Sequence, residues 1–239
     1  MKVGTLHLLP NGLGDRNWIE KISPDVAEAV AQLDGLIAES PQGGLSFLNR
    51  FKTKVPPHQV PIGVFNEHSR KDEIDFFLKP ILEGGQWGLV SDAGLPCLAD
   101  PGHDLVLRAK QMAIPVKAYT GQSSLLMTLM LSGLPAQRFS FHGYPPSKQD
   151  ERIKQIEIWE KISKKDRATQ MMIEAPYRNQ YLLQDLIDHL NPKTYLTVAW
   201  DLTLTTERVM TYSVETWRKS PPPSLAKKPA VFAFYASEI

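Results

Sequence analysis

Short apolar runs that end in glycine- and proline-rich turns, alternating with stretches of helical periodicity, constrain this chain most. Val3–Leu9 reads as a strand entering the loop Pro10-Asn11-Gly12-Leu13-Gly14-Asp15. Pro24-Asp25 opens a helix through about Gln32, and Leu36–Ala38 is a second strand. Leu45–Phe51 reads as helix, Val60–Phe65 as strand and Ile74–Leu82 as a helix with apolar residues at helical spacing. Trp87–Ser91 is a fourth strand, Asp104–Met112 a helix and Ile114–Ala118 a fifth strand. Such alternation predicts a mostly parallel sheet with helices on its faces.

The second half alternates again. An apolar helix, Ser123–Leu131, follows Thr120-Gly121, and its serines suit a helix start. Arg138–His142, Ala168–Glu174, Tyr195–Leu202, Arg208–Tyr212 and Pro229–Tyr235 read as strands, with Asp150–Ile162 and Tyr177–Leu190 as helices between them. Ser220–Lys228, with its consecutive prolines, is a loop. The expected organisation is two α/β domains, 1–118 and 119–239.

Composition narrows the classes. A chain of 239 residues, 42% hydrophobic, has enough apolar surface for one large or two small domains. The formal net charge of +1 argues against a strongly basic nucleic-acid binder. The one cysteine, Cys97, fits a reducing compartment, and a cytoplasmic protein is expected. Met1–Leu9 is too short and polar for a signal peptide, and the longest apolar run, Leu125–Leu131, is far short of a membrane span.

Three turns at strand ends share one chemistry: Pro10–Asp15, Ser91–Pro96 and Thr120–Ser124. If their strands are parallel, all three border one crevice, built of main chain and small side chains, suited to a polar ligand with an adenosine-like part. The Asn11–Asp15 loop lacks the spacing of a dinucleotide fingerprint, and no phosphate-loop G-x-x-x-x-G-K-[ST] exists. The six histidines show no zinc spacing, so no metal is expected. Glu67-His68 and Arg70–Glu73 read as a solvated helix start or as acid–base groups. Glu174 at a strand end either faces the crevice or serves a helix start, with Pro176 in the first helical turn. Cys97 has no base partner in sequence and reads as a packed thiol.

The order of these motifs resembles a known family. DAGLPCLADPG, Asp92–Gly102, resembles the DAGTP-x-x-x-DPG signature of the tetrapyrrole methylase superfamily, in its RsmI-type branch. Thr120–Ser124 is similar to that branch's PGPSA turn, and Ser132–Pro135 with Arg138–Tyr144 to its SGLP…F-x-F-x-G-F segment. Glu174–Arg178 resembles E-S-P-H-R, and Asp201-Leu202-Thr203 with Glu207 resembles E-L-T-K-x-x-E.

The resemblance implies an S-adenosylmethionine-dependent methyltransferase of class III, two α/β domains with the cofactor cleft between them, and a homodimer. It assigns cofactor contacts to Pro10, Asp92, Ala93, Gly94, Leu95, Leu98, Ser123 and Ser124, and to Glu174, Trp200 and Asp201 on the other side. Ribosomal RNA, with ribose 2′-hydroxyl methylation, is the first expected acceptor. A tetrapyrrole-like small molecule is the second, and a non-catalytic paralogue binding S-adenosylmethionine or RNA is a reading of another class. Departures cluster on the acceptor side: Ala38-Glu39-Ser40-Pro41-Gln42 stands where the branch has A-E-D-T-R, and Asn66-Glu67-His68-Ser69 where it has H-E-H-N. Glu39 and His68 are candidates for acceptor positioning or proton removal.

Overall fold

Strands β1 (Thr5–Leu8), β2 (Gly35–Ala38), β3 (Ile62–Val64), β4 (Gln86–Val90) and β5 (Val116–Ala118) form a five-stranded sheet in the order β3-β2-β4-β1-β5. Every pairing in it is parallel. The computed structural model describes residues 2–14, 17–100 and 102–236; Asp15 and Pro101, named in the turns above, lie outside the described residues. The chain divides into two units, Met1–Ser123 and Ser124–Ile239.

Period-two alternation sends each strand's side chains to both faces of the first sheet. Leu36 and Ala38 join a cluster with Val26 and Val30 of α1 (Pro24–Ala31) and Phe47 and Leu48 of α2 (Pro41–Leu48). Ile37, between them, joins Leu78 and Ile81 of α3 (Ile74–Leu82) and Leu105 of α4 (Gly102–Gln111) on the other face. Both faces are therefore covered, which is why β2 is buried along its whole length and reads as an apolar run. Helix α2 starts earlier than apolar spacing predicts. Ser40 Oγ accepts the Gly43 N–H at 3.0 Å and Pro41 occupies the first turn, so a cap rather than hydrophobicity sets its start.

The second unit departs from the parallel pattern. Strands β6 (Phe139–Phe141), β7 (Thr169–Ile173), β8 (Tyr195–Trp200), β9 (Arg208–Ser213) and β10 (Ala230–Tyr235) are ordered β6-β7-β10-β8-β9. Only β6 and β7 run parallel; β10 lies between β7 and β8, antiparallel to both. Leu129 of α5 (Ser124–Ser132) packs with Met171, Val231 and Ala233 on one face. On the other, α6 (Gln149–Asp166), α7 (Asn179–His189) and α8 (Val214–Trp217) enclose Met172, Leu196, Phe232 and Phe234.

Two buried charges tie α6 to α7. Arg152 reaches Asp185 Oδ2 at 2.6 Å through its terminal nitrogen and at 2.7 Å through Nε. Gln149 donates to Asp185 Oδ1 at 2.9 Å, and Arg152 also donates to the Ser147 carbonyl at 2.9 Å. Helix α7 begins at Asn179 rather than Tyr177, and Pro176 precedes it in a turn closed by Arg178 N–H on the Ala175 carbonyl at 2.8 Å.

Candidate functional site

Chain direction builds a crevice at the ends of β1 and β4. These strands are neighbours, yet α1 follows β1 on one face of the sheet and α4 follows β4 on the other. Their outgoing loops therefore diverge, the arrangement at which open α/β sheets bind ligands. The two loops are the Asn11 loop and the Asp92 turn that the sequence singles out.

Asn11 stitches these loops together. Its N–H donates to the Gly94 carbonyl at 2.7 Å, and its side-chain amide donates to the Ser91 and Asp92 carbonyls at 3.0 and 3.1 Å. Asn11 Oδ1 accepts the Gly12 N–H at 2.9 Å, so the whole amide is engaged. Gly94 takes φ +72°, which its lack of a side chain permits. Pro10 and Leu95 close on Gly121 so tightly that a Cβ there would stand 2.1 Å from Pro10 Cβ. The Gln122 side chain accepts the Leu13 N–H at 3.3 Å. Pro10, Gly94, Leu95 and the Gly121 turn are thus brought together within the first unit. Asp92, Ala93 and Leu98 of the same turn are exposed, and Ser123 is buried.

Cys97 and Ala99 take φ of +69° and +67°, an unusual conformation for residues with side chains. Burial, reinforced by Asp100, pushes the Cys97 thiol up to about 11. Burial also raises the Asp100 carboxyl against a hydrogen bond from Ser91, with Asp92 adding to the rise. Glu39, at the end of β2, accepts the Asp92 N–H at 2.8 Å. Burial raises its pKa above the ordinary carboxylate value; that hydrogen bond opposes the rise, and Asp100, Asp92 and Glu67 add to it. Asn66 donates to the Glu39 carbonyl at 3.2 Å and tethers the loop that carries His68. His68 itself is 84% exposed in its side chain and 3.6 Å from Glu67.

A cavity of about 180 Å3 opens on the α2 side of the Asn11 loop, lined by Asn11, Gly12, Gly14, Trp18 and Asp92, by Gly43, Ser46 and Phe47 of α2, and by Arg50 just past its end. The sequence reading missed Trp18 and this helix face. The i, i+3, i+4, i+7 spacing of 43, 46, 47 and 50 is the signal that marks a single face.

In the second unit, Glu174 follows β7 and Asp201 follows β8, on one edge of the sheet because β10 joins Ile173 to Val231 and Trp200 to Ala230. Glu174 Oε1 accepts from Ala175 N–H at 2.8 Å and from Arg178 at 2.7 Å. Asp201 and Thr203 take φ of +52° and +74°. Glu174 Oε2, Arg178 Nε, Asn179 Oδ1 and Thr203 Oγ1 are buried without a hydrogen-bond partner, an expensive condition that ligand-contacting edges tolerate. Ser124 opens α5 in the same unit. Among the described residues no group of three or more His, Cys, Asp or Glu could hold a metal ion, and no helix is long and apolar enough to cross a membrane.

Known proteins share this architecture. Diphthine synthase superposes with a TM-score of 0.67 at 18% identity, over 98% of this chain and 90% of that one. Cobalt precorrin-4 methyltransferase, a cobalamin biosynthetic enzyme, gives 0.61 at 12% identity, over 97% and 94%. The fold is that of the class III, tetrapyrrole-methylase-like methyltransferases. No family model matches the chain. Sequence likeness is stronger. The ribosomal RNA small subunit methyltransferase I of Synechocystis sp. is 30% identical over 84% of this chain and 68% of its own length. That of Pseudomonas aeruginosa is 27% identical over 87% and 70%. The chain belongs to the ribosomal RNA small subunit methyltransferase I family.

Proposed function

We propose that this protein transfers a methyl group from S-adenosylmethionine to a ribose 2′-hydroxyl of small-subunit ribosomal RNA. The diverging β1 and β4 loops carry the reading, since they put main chain and small residues at the switch point where such a cofactor binds. The residues present fit it: Asp92 and Ala93 are exposed beside the Asn11 amide, and Pro10, Gly94 and Leu95 form a tight floor. Bound there, the sulfonium supplies an activated methyl group. The protein's task is to hold an acceptor oxygen in line with it and exclude water. The relatives' name supports RNA as the acceptor class.

Glu174, Trp200 and Asp201 of the second unit, with Ser123 and Ser124, are further proposed cofactor contacts. A cytoplasmic homodimer is proposed from the family resemblance, and light scattering on the eluting protein checks its mass.

Calorimetric titration with S-adenosylhomocysteine and S-adenosylmethionine tests the reading. One-per-chain binding, lost in Asp92→Ala, is expected; a folded protein that binds neither overturns it. Methyl transfer to small ribosomal subunits lacking the modification tests the acceptor, and no transfer there removes ribosomal RNA.

A further inference from the structure

His7 stands on β1 between two strands, paired with Gly88 of β4 on one side and Lys117 of β5 on the other. Only 9% of it is exposed, yet both ring nitrogens are engaged. Nε2 lies 2.9 Å from Gln86 Oε1 of β4, and Nδ1 lies 2.8 Å from the hydroxyl of Tyr119, the residue that follows β5. An amide oxygen only accepts, so Nε2 carries the hydrogen and Nδ1 accepts from the tyrosine. The two rings stack with centroids 5.9 Å apart. An apolar side chain at this position would avoid the desolvation that these groups incur.

Tyr119 connects this network to the crevice. Its N–H donates to the Leu8 carbonyl at 3.3 Å, and its buried ring joins Leu9, Trp18 and Val90 in the cluster under α1 and α2. Two residues on, Gly121 closes on Pro10 and Leu95 at the crevice floor, and the Gln122 side chain accepts the Leu13 N–H. A shift of Tyr119 therefore carries that turn with it.

The surroundings of His7 favour the neutral ring. Burial holds its pKa below the ordinary 6.5; the Gln86 hydrogen bond opposes this, and Lys117 adds to the lowering. From β4 it faces uncharged Gln86, and from β5 Lys117 and Tyr119, with Lys117 Nζ 4.6 Å from the centre of the Tyr119 ring. Asp34 meets Gln86 through the main-chain N–H at 2.8 Å, and Lys54 already holds it. Among the described residues no carboxylate bonds to His7. A second proton on the ring ends the role of Nδ1 as an acceptor. The Tyr119 hydroxyl then loses its partner, and the new charge is buried beside Lys117 without a counter-ion.

We propose that His7 is a pH-sensitive latch on the floor of the crevice. Neutral, it holds Tyr119 and the Gly121 turn in place for the cofactor; protonated, it releases Tyr119 and the turn loosens. The inference rests on the cofactor reading above and adds to it a regulation that none of the family motifs contains. By linkage, a buried neutral imidazole contributes stability that is full above its ordinary pKa and is lost as pH falls through the lower folded value. Cofactor affinity follows the same course.

The test is calorimetric titration with S-adenosylhomocysteine between about pH 5 and 8, on the wild type, His7→Gln and Tyr119→Phe. Wild-type affinity is level at the upper end and falls by up to roughly tenfold per pH unit below the folded His7 value. Both variants flatten that slope, and Tyr119→Phe also binds several-fold more weakly at pH 8, the loss of one hydrogen bond. His142, the other half-buried histidine, keeps its titration in all three proteins and so does not account for the difference. Reciprocity supplies a readout that a merely structural role would not move: S-adenosylhomocysteine lowers the pKa of His7 itself, followed by the proton resonance of its ring. Level wild-type affinity down to pH 5, or a His7 pKa unmoved by S-adenosylhomocysteine, overturns the latch. An unchanged slope in His7→Gln also overturns it and gives the pH dependence to Glu39 and Asp100. Should circular dichroism show that His7→Gln does not fold, the slope in Tyr119→Phe decides. The two failures separate cleanly: a folded wild type that binds no S-adenosylhomocysteine even at pH 8 sinks the cofactor reading and the latch with it, whereas binding that stays level sinks the latch alone.

Discussion

The Glu39 carboxylate accepts the main-chain N–H of Asp92 at 2.8 Å, bridging the ends of two adjacent strands, β2 and β4. This fixes the start of the Asp92 turn from the side. The group that the sequence offers as a candidate base is thus already occupied in holding the turn.

Two substitutions separate these roles. Glu39→Gln keeps an oxygen for the Asp92 N–H and removes the charge, so S-adenosylhomocysteine affinity stays within about twofold, while Glu39→Ala weakens it several-fold, in the range of one lost hydrogen bond. Calorimetry reads both. Loss of turnover in Glu39→Gln with binding intact would return Glu39 to the role of base. Stability carries a second signature. A carboxyl whose pKa is raised in the folded state binds its proton more tightly there than in the unfolded chain. Its favourable contribution is full below the ordinary carboxylate pKa and is lost as pH rises through the folded value. Glu39→Gln is therefore expected to gain stability relative to the wild type as pH climbs through that window, measured by urea unfolding at stepped pH.

Gly121→Ala tests the floor of the crevice. The added Cβ meets Pro10 Cβ at 2.1 Å and Leu95 Cδ2 at 3.1 Å, so the β1 loop must move. An overpacking cost of about 1–3 kcal/mol is expected, with weaker S-adenosylhomocysteine binding. Urea unfolding alongside calorimetry checks both, and unchanged affinity would detach this floor from the cofactor.

Asp185 and Arg152 have side chains only 4% and 6% exposed. Asp185→Ala strands the guanidinium and should cost about 3–5 kcal/mol. The double replacement Asp185→Leu with Arg152→Met removes both charges and should cost much less, because no buried charge is left alone. Denaturation midpoints of the three variants decide this.

Cys97 is half-buried, and its thiol ionises only near pH 11. At pH 8 about one thiol in a thousand is thiolate, so iodoacetamide should label the native protein slowly, faster with rising pH, and rapidly once urea opens the fold. Cys97→Ala should keep S-adenosylhomocysteine binding. Fast labelling at pH 7 would contradict the packed-thiol reading.

Periodicity and punctuation made much of the fold legible. Ile74–Leu82 was bounded by its own apolar spacing, and the Asp92 and Asn11 turns were marked by glycine and proline. Less visible were features set by long-range partners. Nothing in Ala168–Glu174 or Pro229–Tyr235 says that the two strands pair antiparallel, because an apolar run buried on both faces reads alike in either direction. The α2 start was hidden in a serine cap. At the site, strand-end loops were found because small residues advertise them. Trp18 and Arg50 were not, since an aromatic at a helix turn and a cation just past a helix end look ordinary until an adjacent loop closes against them.

The place of β10 has a consequence for the order in which the protein is made. Residues 230–235 leave the ribosome after the other four described strands of this sheet, yet β7 and β8 have no direct pairing with each other and wait for it on both sides. Until that segment arrives, each presents an open edge of the kind that recruits foreign strands. A nascent chain halted before Ala230 is therefore expected to be a sticky, chaperone-dependent species, and β10 the strand that commits the second unit to its native topology.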